Sequence, residues 1–152
     1  MSVDFGCIAW HEDGCWSATA LASTRDIGAI IDALKAQQTN GGAIGLIAIE
    51  DEFVIIARAL GDQMQMMISD ITYALDYEVA AELVEVLDLE FPEEEDEAQP
   101  GGDLDLLNDL GVSQMELLTI LDDTELYPDE QLEAIANRLG FGDQFNQVIE
   151  SN

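Results

Sequence analysis

The lone histidine of this chain stands in His11-Glu12-Asp13, an imidazole beside two carboxylates, a combination able to move a proton or help hold a metal ion. A metal would need ligands converging from elsewhere, and no second histidine exists to supply one. Asp13-Gly14 marks a tight turn, so a polar hairpin end is the ordinary explanation of the trio. A second candidate, Asp103-Leu104-Asp105-Leu106-Leu107-Asn108-Asp109, begins like a calcium loop. An EF-hand needs an oxygen ligand at its third alternating position and a glycine directly after, where this chain has Leu107 and Asn108. A solvated helix start, with acids favoured by the helix dipole, is the better reading. Cys7 and Cys15 are the only thiols. If Asp13-Gly14 closes a two-residue hairpin, Cys15 pairs with Glu12 and Cys7 with Ala20, which holds the sulfurs too far apart to bridge. Buried or half-buried free thiols are expected. No nucleophile with its base, metal cage or phosphate loop emerges. The expectation is therefore a protein without catalytic, cofactor-binding or metal-ligating residues, and not an enzyme.

Charge says more than motif. Thirty-three acidic residues face four basic ones, Arg25, Lys35, Arg58 and Arg138, for a formal net charge of −29 over 152 residues. Phosphate backbones are bound chiefly by clustered Lys and Arg, so direct nucleic-acid binding is disfavoured and a basic protein partner fits the sign. A nucleic-acid mimic that regulates a basic protein is the alternative. Composition is 48% hydrophobic, and runs such as Ala43-Ile44-Gly45-Leu46-Ile47-Ala48-Ile49 and Phe53-Val54-Ile55-Ile56-Ala57 can form a core, which separates the chain from acidic disordered proteins. No apolar stretch is long enough to span a membrane and the N-terminus lacks a signal-like start, so the expected location is the cytoplasm.

The elements follow from periodicity. Val3 to His11 and Cys15 to about Leu21 alternate as a hairpin. Ser23 or Thr24 offers an N-cap, and Ile27, Ile30, Ile31 and Leu34 recur at helical spacing in a helix that ends before Asn40-Gly41-Gly42. Strands are expected over Ala43 to Glu50, Glu52 to Leu60 and Gln63 to Ser69. Asp70 then caps a helical stretch through Leu75, and Val79, Leu83, Val84 and Leu87 stripe a helix. The order ββαβββα predicts an α+β domain over residues 1–87, a five-stranded antiparallel sheet with helices largely on one face. That order is similar to the longin and roadblock folds, small domains that mostly serve as protein-binding platforms. Met64, Met66 and Met67 on the last strand read as core filling before binding face, as do Trp10 and Trp16.

Residues 88–102, with Pro92-Glu93-Glu94-Glu95-Asp96-Glu97, Pro100 and Gly101-Gly102, read as an acidic linker, more a solvated spacer than a contact. From Asp103 the period is helical. Leu104, Leu107 and Leu110 precede Gly111; Met115, Leu118 and Leu121 follow the N-cap candidate Ser113, with Glu116 completing a capping box. Leu132, Ile135, Ala136 and Leu139 follow Pro128-Asp129, and Phe141, Phe145, Val148 and Ile149 form a last short helix. So small a core, over 103–152, must lean on the first domain or on another chain. An edge strand of the sheet leaves a homodimer open.

Several segments resemble one family. Gly102-Asp103-Leu104-Asp105-Leu106-Leu107, Asp109-Leu110-Gly111, Glu116-Leu117-Leu118 and Ala134-Ile135-Ala136-Asn137-Arg138-Leu139-Gly140-Phe141, with the acidic linker, Asp51-Glu52-Phe53 and Ile68-Ser69-Asp70, resemble the tRNA adenosine deaminase-associated proteins of actinobacteria. The resemblance implies a tRNA adenosine deaminase as partner and carries no catalytic or binding residue over. The chain does not look like the deaminase itself, whose zinc site needs His-x-Glu and Pro-Cys-x-x-Cys. Here His11 is followed directly by Glu12, and Cys7 and Cys15 lie outside any such motif.

Overall fold

The computed structural model describes residues 4–37, 39, 41–123 and 125–151. The chain runs β1 (Phe5–Glu12), β2 (Cys15–Ala20), α1 (Ile27–Gln37), β3 (Ala43–Ile49), β4 (Phe53–Leu60), β5 (Gln63–Ile68), a 3₁₀ turn (Ile71–Leu75), α2 (Glu78–Val86), β6 (Gly101–Gly102), a second 3₁₀ turn (Asn108–Leu110), α3 (Gln114–Leu121), α4 (Pro128–Leu139) and α5 (Gly142–Ser151). The strands form one antiparallel sheet in the order β2-β1-β3-β4-β5-β6. The expected Val3 start of the first strand and Asn40 lie outside the described residues.

The α+β class and antiparallel sheet agree with the sequence reading; the strand number does not. The sheet has six strands rather than five. The sixth is Gly101–Gly102, read as the end of the linker, which pairs with Met67 and Ile68. Sequence gives such a strand no apolar alternation because both residues are glycine, and packing explains why. A Cβ on Gly101 would stand 2.4 Å from Ile71 Cγ2, and Gly102, at φ 102°, would bring one within 2.4 Å of the Met66 carbonyl oxygen. Asp103 extends the pairing: its N–H donates to the Met66 carbonyl at 2.8 Å and its carboxylate accepts from Met66 N–H at 3.1 Å.

Alternation along each strand divides the core between the two faces. On face one, Ile8, Ile47, Ile49, Phe53, Ile55 and Ile68 meet Ile27, Ile30 and Leu34 of α1 and Val79, Leu83 and Val84 of α2. On face two, Cys7, Ile44, Leu46, Val54, Ile56 and Met67 meet Leu106, Leu107, Leu117, Leu132, Ile135, Phe141 and Phe145 from the C-terminal segments. Strand β3 is buried at every position, the pattern of a strand covered on both sides.

Local chemistry sets the helix starts. Asp26, not Ser23 or Thr24, caps α1, its carboxylate accepting from Ala29 N–H at 3.1 Å, while the Thr24 hydroxyl turns to Asp4. Asp70 caps the first 3₁₀ turn through Thr72 N–H at 2.9 Å, and Ser113 caps α3 through Glu116 N–H at 3.2 Å. The Glu116 carboxylate pairs with Arg138 of α4, tying two helices together. The hairpin register is the one expected, with Cys15 opposite Glu12 and Cys7 opposite Ala20. Both cysteines are free.

Candidate functional site

Several of the residues best suited to chemistry serve the fold instead. His11 and Glu12 lie on the exposed end of β1, with the His11 ring edge-on to Trp16 at 5.2 Å and its carbonyl accepting from the Thr39 hydroxyl at 2.7 Å. Cys7 is buried on face two, and burial pushes its thiol up to about 12, out of the nucleophilic range. Cys15 is exposed on the edge strand. Asp103 clamps β5, and Asp109 pairs with Arg58, so the two ends of the calcium-like segment serve the sheet. Among the described residues no three His, Cys, Asp or Glu side chains gather to hold a metal ion, and no helix is long and apolar enough to cross a membrane.

Arg58 is a charge inside an apolar strand. It is 3% exposed on β4 and reaches the Leu106 carbonyl at 3.2 Å, the Gly41 carbonyl at 3.2 Å and the Asp109 carboxylate, while its Nε has no partner. The guanidinium holds the Asp109 carboxyl below the usual carboxylate range. This cluster fixes the segment entering the C-terminal helices to the centre of the sheet.

Arg25 is likewise committed. It bridges Asp4 at 2.6 Å and Glu50 at 2.5 Å beside a cleft of about 510 Å³, and stacks over the Tyr77 ring at 5.6 Å. Tyr73 donates to Glu52 at 2.8 Å; burial first and then that carboxylate push its phenol up to about 12. With Arg138 held by Glu116, all three arginines are engaged in ion pairs, and Lys35 is the remaining cation, exposed near the end of α1. Among the described residues, the charged groups left without an ion-pair partner are therefore mostly carboxylates.

Helix α3 departs from its expected orientation. The stripe Met115, Leu118 and Leu121 reads as its core face, yet the buried residue is Leu117, joined by Ile120 and Leu121 at the edge of the face-two core. Met115 is 79% exposed, and neither Met115 nor Leu118 belongs to either core. The helix, Gln-Met-Glu-Leu-Leu-Thr-Ile-Leu, is apolar on two sides, so spacing alone selects no single inner face. Along the outer side runs an open cleft of about 890 Å³, lined by Met115, Leu118, Leu121 and Pro100 together with Asp122 and Asp123. The methionines singled out in the sequence lie elsewhere: Met66 and Met67 are buried on opposite faces of β5 and Met64 packs at the rim of face one. Trp10 and Trp16 are half-buried, Trp16 4.8 Å from the Phe141 ring. What could have flagged the cleft is Met115 itself, an apolar residue in the first turn of a helix that Asp122 and Asp123 follow.

Comparison with known proteins finds matches along most of the chain. The Rv3753c-like tRNA adenosine deaminase-associated protein family matches over residues 4–142. Protein Rv3753c of Mycobacterium tuberculosis is 40% identical over 154 aligned positions, covering 96% of this chain and 87% of that protein. No solved structure matches. A match that takes in both sheet faces and the acidic segment between them establishes that the chain belongs to the Rv3753c-like tRNA adenosine deaminase-associated protein family.

Proposed function

We propose that this protein is a non-catalytic binding partner, acting in the cytoplasm on a basic protein, and that the partner is the tRNA adenosine deaminase named in its family. The observation that carries the reading is the disposition of charge. With the arginines engaged internally, a chain of net charge −29 offers its surroundings carboxylates almost alone. Such a surface repels tRNA and attracts an enzyme that must itself be basic to hold tRNA, raising encounter rates in a salt-sensitive way. In this reading residues 1–87 are a platform, whose order of elements is similar to longin and roadblock domains, residues 88–102 a tether, and residues 103–152 a contact module. The test is titration calorimetry against the deaminase of the same organism, at low and at roughly half-molar salt, where the Debye length falls to a few ångströms. Saturable binding that survives the higher salt supports the reading; no heat at either salt overturns it.

A second reading, nucleic-acid mimicry, is favoured by α2. Glu78, Glu82 and Glu85 stand exposed along one side of that helix, about 5–6 Å apart at successive turns. Mimicry predicts comparable, salt-labile binding to unrelated basic proteins. Preference for the deaminase over such proteins separates the two.

A further inference from the structure

We propose that the outer side of α3 is a docking groove for a short amphipathic segment of a partner protein, apolar on one side and carrying Lys or Arg at one end. Resting on the partner reading above, the inference locates the contact and gives the chemistry of what fills it.

Two independent features of α3 point there. The first is its surplus of apolar surface. Leu117, with Ile120 and Leu121 beside it, satisfies the helix's burial in the face-two core, where α3 packs on α4, yet Met115 and Leu118 line the open cleft on the other side. A helix apolar on both sides ordinarily has both sides covered. Methionine is suited to such a surface, since its unbranched thioether adapts to the shape it meets. The groove follows the eight residues of the helix, about 12 Å, room for roughly two turns of a partner helix.

The second is charge at the wrong end. Helix C-termini carry partial negative charge and favour Lys or Arg. Helix α3 has no basic residue in its last turn, and Asp122 and Asp123 follow at once. Asp123 is partly used, accepting from Glu125 N–H at 3.0 Å, while Asp122 is exposed and lines the cleft. An incoming cation placed there would meet two carboxylates and the helix dipole together.

Charge also selects among occupants. A second copy of a chain with net charge −29, or the acidic run Glu93-Glu94-Glu95-Asp96-Glu97 of the same chain, would bring carboxylates against Asp122 and Asp123. A basic segment from another protein reverses that repulsion.

The experiment uses the full chain and two substitutions that the helix tolerates. Met115→Asp replaces an exposed side chain near the helix start, where acids are favoured, and Asp122→Lys supplies the cation its C-terminus lacks. The first probe is a synthetic amphipathic helix, leucines on one side and lysines and arginines at one end, followed by amide chemical shifts. A peptide of the same composition in scrambled order is the control. Expected are shifts confined to Ser69, the α3 segment and its flanks, saturable binding lost on scrambling, and affinity about tenfold weaker in each variant, a change of about 1.4 kcal/mol. Only Asp122→Lys should also flatten the salt dependence. Shifts spread over the whole acidic surface, or equal affinity for wild type and both variants, overturn the groove. The same proteins are then titrated with the deaminase. Loss of affinity in both variants supports the inference, and a deaminase that binds all three alike overturns the groove as its contact while leaving the partnership standing. A deaminase that ignores the wild type overturns the partnership, and the peptide then decides the groove by itself.

Discussion

The two faces of the sheet are covered by different kinds of helix. Face one is closed by α1 and α2, elements adjacent in sequence to the strands they cover, each with one apolar stripe turned inward. Face two is closed by segments that arrive from beyond the acidic run, fixed by a buried arginine, and including a helix apolar on both sides. Face one leaves Val86 at the end of α2 53% exposed, whereas face two leaves Met115 of α3 79% exposed beside an open cleft. Both coverings therefore serve stability, and the proposed contact lies on the outer side of α3.

If both coverings belong to one cooperative structure, damage to either should unfold the whole. Phe53 lies on face one and Phe145 on face two, each essentially inaccessible, so Phe53→Ala and Phe145→Ala are each expected to cost about 3–5 kcal/mol. Urea denaturation should give a single transition in both variants, because β3 and β4 contribute side chains to the two cores at once. Cys7, buried on face two, is a built-in reporter. Its thiol should react only at the global midpoint, whereas Cys15 reacts in the native state. Early exposure of Cys7 would mean that the face-two covering lifts separately from the rest of the fold.

Within α3 the same contrast appears over two residues. Leu117→Ala should cost about 2–5 kcal/mol and Met115→Ala no more than about 0.5 kcal/mol, since Leu117 is 0% exposed and Met115 79%. Equal losses would show that Met115 is covered after all. The Arg58–Asp109 pair anchors face two. Asp109→Ala leaves a buried guanidinium without its carboxylate and should cost about 2 kcal/mol, below the usual range for buried pairs because the Asp109 side chain is 59% exposed. Arg58→Met removes the charge and fills the space, and is expected to be close to neutral. Denaturation midpoints of the two variants measure the asymmetry.

Face one was legible in the sequence because its information is local. The stripes Ile27, Ile30, Leu34 and Val79, Leu83, Val84 have the period of the helices that carry them, and the Asp13-Gly14 turn fixes the β1–β2 register. Face two was announced only indirectly. The unbroken apolar runs of β3 and β4 are what strands covered on both sides look like, but they do not say which distant segment provides the second cover. Arg58, a lone cation in such a run, had its partner Asp109 far along the chain, and Gly101–Gly102 joined the sheet through backbone alone. The groove was hidden for a different reason. In a helix apolar on two sides, period identifies the helix and leaves its rotation to the tertiary contacts, so the stripe chosen by spacing was largely the outward one.

The smallest effect separates the two anchoring arginines. Asp109 and Asp4 both have carboxyl pKa values lowered in the folded protein, Asp109 chiefly by its hydrogen bond from Arg58 and Asp4 chiefly by its hydrogen bond from Arg25. A carboxyl with a depressed folded pKa binds its proton more readily in the unfolded chain, so each contributes stability that is present above the usual value of 3.8 and is lost as pH falls below it. The two contributions should differ in size. Arg58 is 3% exposed and protonating Asp109 strands its charge in the core, whereas Arg25 is 46% exposed and retains both water and Glu50. Asp109→Asn should therefore flatten the acid limb of stability against pH more than Asp4→Asn does, measured as urea midpoints from neutrality down to pH of about 3. Equal flattening would place the same weight on the surface bridge beside Tyr77 as on the buried staple of face two, and would remove Arg58 as the feature that distinguishes how the second covering is held.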